Sequence, residues 1–434
     1  MKFAATGLLP DILRAIEQCG YDEMTPVQEE TIPMAKSGRD LWVNAQTGTG
    51  KTAAFALPII HRLHQSAKEL SAGHVRALIL TPTRELADQL QDKIQQYAQF
   101  TALNVRAVFG GTKDQSAKLK TGADVLIATP GRLVAMLHDQ ALDLSELEVL
   151  VLDEADRMLD MGFVESVLGI NSQAPKRKQM MLFSATTTAA VNNLAHQVLN
   201  KHHEIRLSAN NATADTVEHV LYPVNEEKKL DLFMELLEVH NWFQILVFTS
   251  TKKQADRLLM RLKQKDVPAA LCHGDKTQGA RRRALKDFKA AKIQVLVATE
   301  VAARGIDIEG LDYVLNYNLP YLPEDYVHRI GRTGRAGRLG HAISFVCPEE
   351  NRALQKIERV IGQEIKRIYQ RGYELALRDE IEQTTIRKTV SKPKKKVSEP
   401  KPKSNKSKTH KSGKKSISSR AGGKKNRKAI RKRK

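Results

Sequence analysis

Three groups of residues in this chain of 434 could do chemistry on a phosphate. The first is Ala45-Gln-Thr-Gly-Thr-Gly-Lys-Thr52. Its glycines would let backbone N–H groups converge on an anion, and a helix starting at the end of the loop would add the positive end of its dipole. Lys51 would neutralise the β- and γ-phosphates of a nucleotide, and Thr52 would ligate Mg²⁺. Ala45 stands where the general pattern has glycine, and a GKT in a Gly-rich turn is common, so the loop alone leaves nucleotide binding open.

The second group is Asp153-Glu-Ala-Asp156. Asp153 is placed to hold the metal through its water shell, and Glu154 to orient and deprotonate an attacking water. The bland alternative is an acidic helix N-cap, where carboxylates are favoured anyway. The third group is His328-Arg-Ile-Gly-Arg-Thr-Gly-Arg335. Its arginines could be a solvated patch, the usual fate of Arg. They could also bring positive charge to a γ-phosphate as its bond loosens, which a second domain can do only when closed.

These groups need elements to hold them. Apolar runs at 40–45, 75–81, 124–128, 147–152 and 179–184 predict strands, and most precede a turn and an amphipathic segment such as 85–98. The acidic group then follows the strand at 147–152, on the edge where open α/β sheets bind ligands. Residues 208–217, SANNATADTV, are small and polar, as a linker should be. A second series of strands is expected at 243–249, in PAALCHG after Val267, and at 293–299, 313–318 and 341–346. The expected architecture is α/β: two domains, 1–207 and 218–380, each a mainly parallel sheet flanked by helices. Over 381–434 apolar residues give way to Lys, Ser and Pro, and no core can form.

The formal charge of +21 is uneven. Of 70 Lys and Arg and 49 Asp and Glu, residues 383–434 hold 22 and one, which leaves 48 of each in residues 1–382. The body is neutral and the tail carries the excess, as a disordered, solvated arm that can also bind a polyanion. Cys19, Cys272 and Cys347 are far apart and odd in number, which favours reduced thiols over disulfides or a metal site. The start MKFAATGLLPDIL makes a poor secretory signal, and no apolar stretch reaches the roughly 18–20 residues of a membrane span, so a cytoplasmic location is expected.

In order along the chain stand Phe3, then Gly20-Tyr-Asp-Glu-Met-Thr-Pro-Val-Gln28, AQTGTGKT (45–52), PTRELA (82–87), Gly110-Gly111, TPGR (129–132), DEAD (153–156) and SAT (184–186). The second half adds VFTST (247–251), His273-Gly-Asp with Gln278 and Arg281, ATEVAARGID (298–307) and HRIGRTGR (328–335). This series resembles the DEAD-box ATP-dependent RNA helicases. The short N-terminus, the stretch LPYLPEDYVHRIGRTGRAGR and the basic tail look like the bacterial RhlE-like group.

The resemblance implies two RecA-like domains with ATP and Mg²⁺ as cofactors and RNA as partner. It implies that Gln28 binds the adenine edge with Phe3 nearby, and that Ala45, Gln46, Thr47, Gly48, Thr49, Gly50, Lys51 and Thr52 cradle the phosphates. Asp307 would contact the ribose, and Arg332 and Arg335 the phosphates. Ser184, Thr186 and His328 would couple the acidic site to the closed interface. Arg84, Gly111, Thr129, Arg132, Arg281 and Thr299 would line a track for the RNA backbone, largely independent of base sequence. Two residues depart from the family's habit: Met24 replaces Pro, and Glu300 replaces Asp.

A DNA-directed helicase would share the phosphate loop and the arginines, and a non-enzymatic RNA clamp would share the groove. The four intact residues Lys51, Asp153, Glu154 and Arg335 count against the clamp. The charge count generates its own prediction. A chain ending near Asp379 should hydrolyse ATP at saturating RNA with a kcat close to that of the full chain. It should need more RNA for half-maximal stimulation, with a shallower log–log salt slope, because neutralising ~6–10 phosphates costs about 10³–10⁵ in affinity between roughly 50 and 200 mM salt. RNA-titrated ATPase assays at several salt concentrations check this; an unchanged slope would show that the tail tethers nothing.

Overall fold

The computed structural model describes residues 1–46, 48–111, 115–207, 217–240, 242–303, 311–334 and 339–375. Thr47, Asp307, Arg335, residues 208–216 of the linker and the whole basic tail lie outside these. The body holds two seven-stranded α/β lobes within one compact unit.

The first sheet contains β1 (Leu41–Asn44), β2 (Val75–Leu80), β3 (Val105–Val108), β4 (Ala123–Ala128), β5 (Val149–Leu152), β6 (Gln179–Ser184) and β7 (His203–Arg206). Their spatial order is β3-β4-β2-β5-β6-β1-β7, with every pairing parallel. Strands β2, β5 and β6 are buried along their whole length, as expected of a parallel sheet covered on both faces. Helices α1 (Pro10–Gln18), α2 (Pro26–Lys36), α3 (Lys51–Gln65) and α4 (Arg84–Tyr97) close one face with Ile12, Val27, Phe55 and Ile94. Helices α5 (Pro130–His138), α6 (Ala155–Asp160), α7 (Val164–Ser172) and α8 (Ala189–Val198) close the other with Leu133, Met158, Val167 and Leu194.

The second sheet contains β8 (Val217–Pro223), β9 (Ile245–Thr249), β10 (Ala269–Cys272), β11 (Val295–Thr299), β12 (Tyr313–Asn316), β13 (Gly340–Val346) and β14 (Lys366–Arg367). Their order is β10-β11-β9-β12-β13-β8-β14, again all parallel. Parallel strands need crossovers, so the loops that follow them gather on one edge of each sheet. Threonine caps start several helices: Thr83 accepts from the Leu86 N–H, Thr188 from Val191, and Thr277 from Ala280.

Four strands have no counterpart among the sequence expectations. Strand β3 is four residues long with Arg106 inside it, and β14 has only two residues. Strand β7 is an edge strand burying Ile205 alone, so it shows no apolar run. Strand β8 begins at Val217, the last residue assigned to the linker. Among the thiols, Cys272 and Cys347 are buried while Cys19 is half-buried, and all three are free.

Inside β2 the Arg76 guanidinium is 1% exposed. It donates to Glu148 Oε1 at 2.8 Å, Ser66 Oγ at 2.7 Å and Leu63 O at 3.1 Å, with Asp124 at 3.4 Å. Arg76→Met keeps the stem but strands two carboxylates, and should destabilise the first lobe by about 3–5 kcal/mol. Trp42 in β1 reports that lobe's urea midpoint in a Trp242→Phe background, since the chain has two tryptophans. A midpoint unmoved by Arg76→Met would refute the network's structural role.

Candidate active site

The phosphate loop leaves β1 and ends where α3 begins at Lys51. Gly48 and Gly50 sit at φ 88° and 91°, in the left-handed region, and a Cβ on Gly50 would come within 2.4 Å of Gln28 Nε2. The start of α2 clamps the loop: Thr25 Oγ1 donates to Thr49 O at 2.7 Å, and Gln28 Nε2 to Gly50 O at 3.1 Å. Gln28 Oε1 also accepts from the Thr25 N–H at 2.9 Å, closing a capping box on α2. Within the loop, Thr49 Oγ1 donates to Gln46 O at 2.8 Å. Lys51 is buried and its Nζ donates to Ala45 O at 2.7 Å, while Thr52 is half-buried at the start of α3. Phe3 is buried and stacks on Tyr21, with ring centroids 6.5 Å apart.

Asp153 follows β5 and is 5% exposed, and its Oδ1 is buried with no hydrogen-bond partner. Burial pushes its carboxyl up to about 7 against the opposing pull of Lys51. Glu154 is held at φ 55°, a left-handed conformation unusual for a residue with this side chain. Asp156 Oδ2 gathers the turn after β6: it accepts from the Ala185 N–H at 2.9 Å, the Thr186 N–H at 3.0 Å and Thr186 Oγ1 at 3.2 Å. Ser184 Oγ donates to Thr186 O at 2.7 Å, and Ser184 O accepts from the Ala45 N–H at 3.0 Å. The carboxylate cluster and the phosphate loop are therefore joined through one tripeptide.

The second lobe meets this cluster at Arg157, which is 2% exposed. Arg157 Nη1 donates to Asp325 Oδ1 at 3.1 Å and Asp160 Oδ2 at 3.1 Å, and Nη2 lies 3.7 Å from Glu300 Oε1. Glu300 also accepts from Arg329, whose Nη1 donates to Asn316 Oδ1 at 3.0 Å and Asn318 O at 2.7 Å. The longer arm of Glu300 thus reaches both its own lobe's Arg329 and the first lobe's Arg157. His328 Nδ1 lies 3.9 Å from Asp325 Oδ1, and buried Arg332 donates Nε–H to His328 O at 3.2 Å. Neighbouring Arg157 and His328 hold the Asp325 carboxyl below its ordinary range although burial opposes this.

Of the residues expected to line a nucleic-acid track, Arg84 packs across Gly110 and Gly111. A Cβ on Gly111, at φ 86°, would fall 2.2 Å from Arg84 Nη1. Thr129 precedes α5 with its N–H on Val108 O, and Arg132 Nε is buried without a partner. Thr299 ends β11. Arg281 is buried and pairs across the lobes with Glu85, Nη2 to Oε2 at 2.6 Å, while Arg281 Nε, Glu85 Oε1 and the Gln278 amide are buried without partners. Arg282 makes a bidentate pair with Asp88 beside it. Sequence reasoning missed Arg157, Glu85, Asp88, Arg282 and Asp325. Their pairing, with Arg157 buried in α6 beside Ala155, Asp156 and Met158, emerges only when the lobes pack.

Comparison with known proteins bears on this geometry. The DEAD/DEAH box helicase pattern matches residues 25–194, and the helicase conserved C-terminal domain matches residues 228–337. The ATP-dependent RNA helicase CshA of Listeria monocytogenes is 42% identical over 359 residues, covering 82% of this chain and 68% of that protein. The chain belongs to the DEAD-box helicase family. RhpA of Helicobacter pylori, called a DEAD-box ATP-dependent RNA helicase, is 40% identical over 84% of this chain and 73% of its own length.

Among solved structures of the family, S. cerevisiae Dbp5 bound to RNA and ADP BeF3 superposes with a TM-score of 0.77 at 31% identity, over 90% of this chain and all of that one. A Dbp5 variant bound to Nup159, Gle1, IP6 and ADP gives 0.58 at 30% identity, over 89% of this chain and all of that one. This DEAD-box protein superposes more closely on the RNA-bound Dbp5 than on that complex. Removing one member of a buried pair is severe, of order 3–5 kcal/mol. Arg157→Ala should accordingly raise the RNA concentration for half-maximal ATPase activity by roughly tenfold or more, and Arg157→Asp with Asp325→Arg should recover part of that. Half-maximal RNA unchanged in Arg157→Ala would show that the pair does not hold the lobes together.

Proposed function

We propose that this chain is an RNA-stimulated ATPase that uses hydrolysis to open short RNA duplexes locally or to remodel RNA–protein complexes. The observation that carries the reading is the junction of phosphate loop, acidic cluster and second lobe through Ser184, Asp156 and Arg157. The RNA helicase names of the relatives, and the RNA bound in the superposed Dbp5, support RNA over DNA and an enzyme over a passive clamp.

Mg²⁺ fits the residues present: Asp153 offers a buried oxygen without a partner, and its raised carboxyl pKa marks a site where a cation would be welcome. Asp153, through water, and Thr52 would hold the ion, which supplies charge neutralisation on the phosphates. Lys51 leaves Ala45 O for the β- and γ-phosphates. Gln28, already bound to Thr25 and Gly50, offers its remaining amide hydrogen and lone pair to adenine, and the family resemblance puts Phe3 nearby. Thr47, Asp307 and Arg335 lie outside the described residues; the family resemblance assigns them to the loop, the ribose and the γ-phosphate, with Arg332 beside Arg335. Glu154 orients the attacking water and takes its proton. Ser184, Thr186 and His328 couple this site to lobe closure.

ATP on the first lobe and RNA across both favour the same closed state, so each strengthens the other's binding. Arg84, Gly111, Thr129, Arg132, Arg281 and Thr299 form the track, Arg281 acting in part through Glu85. Hydrolysis weakens closure and the RNA leaves. By the same resemblance we place the chain in the RhlE-like group, with ribosomal or RNA-decay assemblies as candidate partners. On the poor secretory signal and the lack of a membrane-length apolar run we place it in the cytoplasm. Among the described residues no helix is long and apolar enough to cross a membrane.

Glu154→Gln keeps shape and hydrogen bonding but removes the base. Nucleotide binding should persist while kcat falls by about 10²–10⁴, and the variant should retain RNA longer in ATP. Fluorescent-nucleotide titration, single-turnover hydrolysis and RNA release kinetics check this; hydrolysis near the wild-type rate would remove Glu154 from the mechanism.

A further inference from the structure

At the amino edge of the first sheet, opposite the phosphate loop, three turns meet beneath strands β6, β1 and β7. They enclose a cleft of about 550 Å³ lined by Gly38, Arg39, Asp40, Arg177, Lys178, Asn200 and Lys201. Asp40 ties the turns together: Oδ1 accepts from the Met180 N–H at 2.6 Å, Oδ2 from the Asn200 N–H at 2.8 Å, and its main-chain oxygen from the His203 N–H at 2.9 Å. Arg177 braces the same carboxylate at 3.6 Å and donates to Val198 O at 3.2 Å. The one acid in the cleft is therefore fully engaged.

The other charges are positive. Arg39 and Lys201 are exposed, and neither side chain has a carboxylate partner among the described residues. Lys178 is exposed and lies 3.7 Å from Glu148, which is already bonded to Arg76. Arg62 stands directly behind Gly38, and its guanidinium donates to Ala35 O. Lys201 is held at φ 43°, a strained conformation for lysine, so the fold imposes its position. In a body with 48 bases and 48 acids, this concentration of cations is a local excess, not a share of a general one.

The lining also says what would bind. It contains no apolar or aromatic side chain, so it lacks the anchor that a protein partner's hot spot needs and the platform on which a base would stack. Cationic side chains are what it offers, and these suit phosphate groups read without regard to sequence. The chain's own tail is strongly cationic and is excluded as occupant.

We propose that this rear cleft is a second RNA site, holding the phosphate backbone of a structured segment that flanks the strand in the inter-lobe groove. The proposal rests on the RNA-stimulated ATPase reading, and the test separates the two. The full-length chain is compared with Arg39→Glu/Lys201→Glu, which leaves Asp40 and Arg177 intact, with Arg39→Lys/Lys201→Arg, and with Lys263→Glu/Lys265→Glu on the second lobe as a control for diffuse charge. ATPase activity is titrated with a short single strand and with the same strand carrying a duplex flank, at several salt concentrations. Poly-glutamate is the competing protein-type polyanion.

With the flanked RNA, the rear-cleft reversal should raise half-maximal RNA roughly tenfold and flatten the salt slope by about 1.5–2, the loss of two phosphate contacts. The short strand should stimulate all four proteins alike, and the Lys/Arg exchange should behave as wild type. Unchanged titration of the flanked RNA by the reversal, an equal loss in the Lys263/Lys265 control, or poly-glutamate competing as well as RNA would each overturn the second site. A wild type that the short strand fails to stimulate would instead overturn the ATPase reading.

Discussion

The body of this protein turns on a charge placed where charges are expensive. Arg157 sits in a helix turn whose neighbours are all buried, and its guanidinium has almost no contact with water. Its Nη1 bonds Asp160 of its own lobe and Asp325 of the other, and Glu300 of the other lobe lies 3.7 Å from Nη2. Nε and Nη2 are buried without a hydrogen-bond partner, so its charge is compensated in large part by groups present only while the lobes meet. The residue before it, Asp156, organises the turn that touches the phosphate loop. Two consecutive side chains therefore face in opposite functional directions, one toward the nucleotide site and one toward the second lobe. That adjacency gives a short physical route by which occupancy of one side can bias the other.

Much of this was legible in the sequence, for reasons that can be stated. Buried central strands such as β2 and β6 announce themselves as apolar runs because both faces are covered. The edge strand His203–Arg206 does not, since only Ile205 enters the core. The candidate site divides the same way. Residues whose chemistry depends on local backbone, such as Lys51 after a glycine loop and Asp153 after a buried strand, can be placed by reading along the chain. The pairs Glu85–Arg281, Asp88–Arg282 and Arg157–Asp325 cannot, because each joins positions more than 160 residues apart through the packing of two lobes. The contact of Glu300 was open for the same reason: its length matters only because Arg329 and Arg157 stand on either side of it.

The two edges of the first sheet show how one lobe can serve two purposes. All strands run the same way, so the loops after them share one edge and the turns before them share the other. At the first edge, glycines and strained backbone bring N–H groups and carboxylates together. At the second, one engaged aspartate collects three turns and leaves cations facing outward. Changes at either edge are separated by the length of the strands, which is why surface charge can be altered at one without displacing the other.

Glu154 carries a further implication. Its backbone is already held in the left-handed region, at a cost of order 1–3 kcal/mol met by folding. The backbone that carries this carboxylate is therefore set when the chain folds, before any nucleotide arrives. In the mechanism proposed above, a base installed in advance has no backbone rearrangement to make at the moment of reaction, which leaves the coming together and parting of the lobes as the step that sets the pace of turnover.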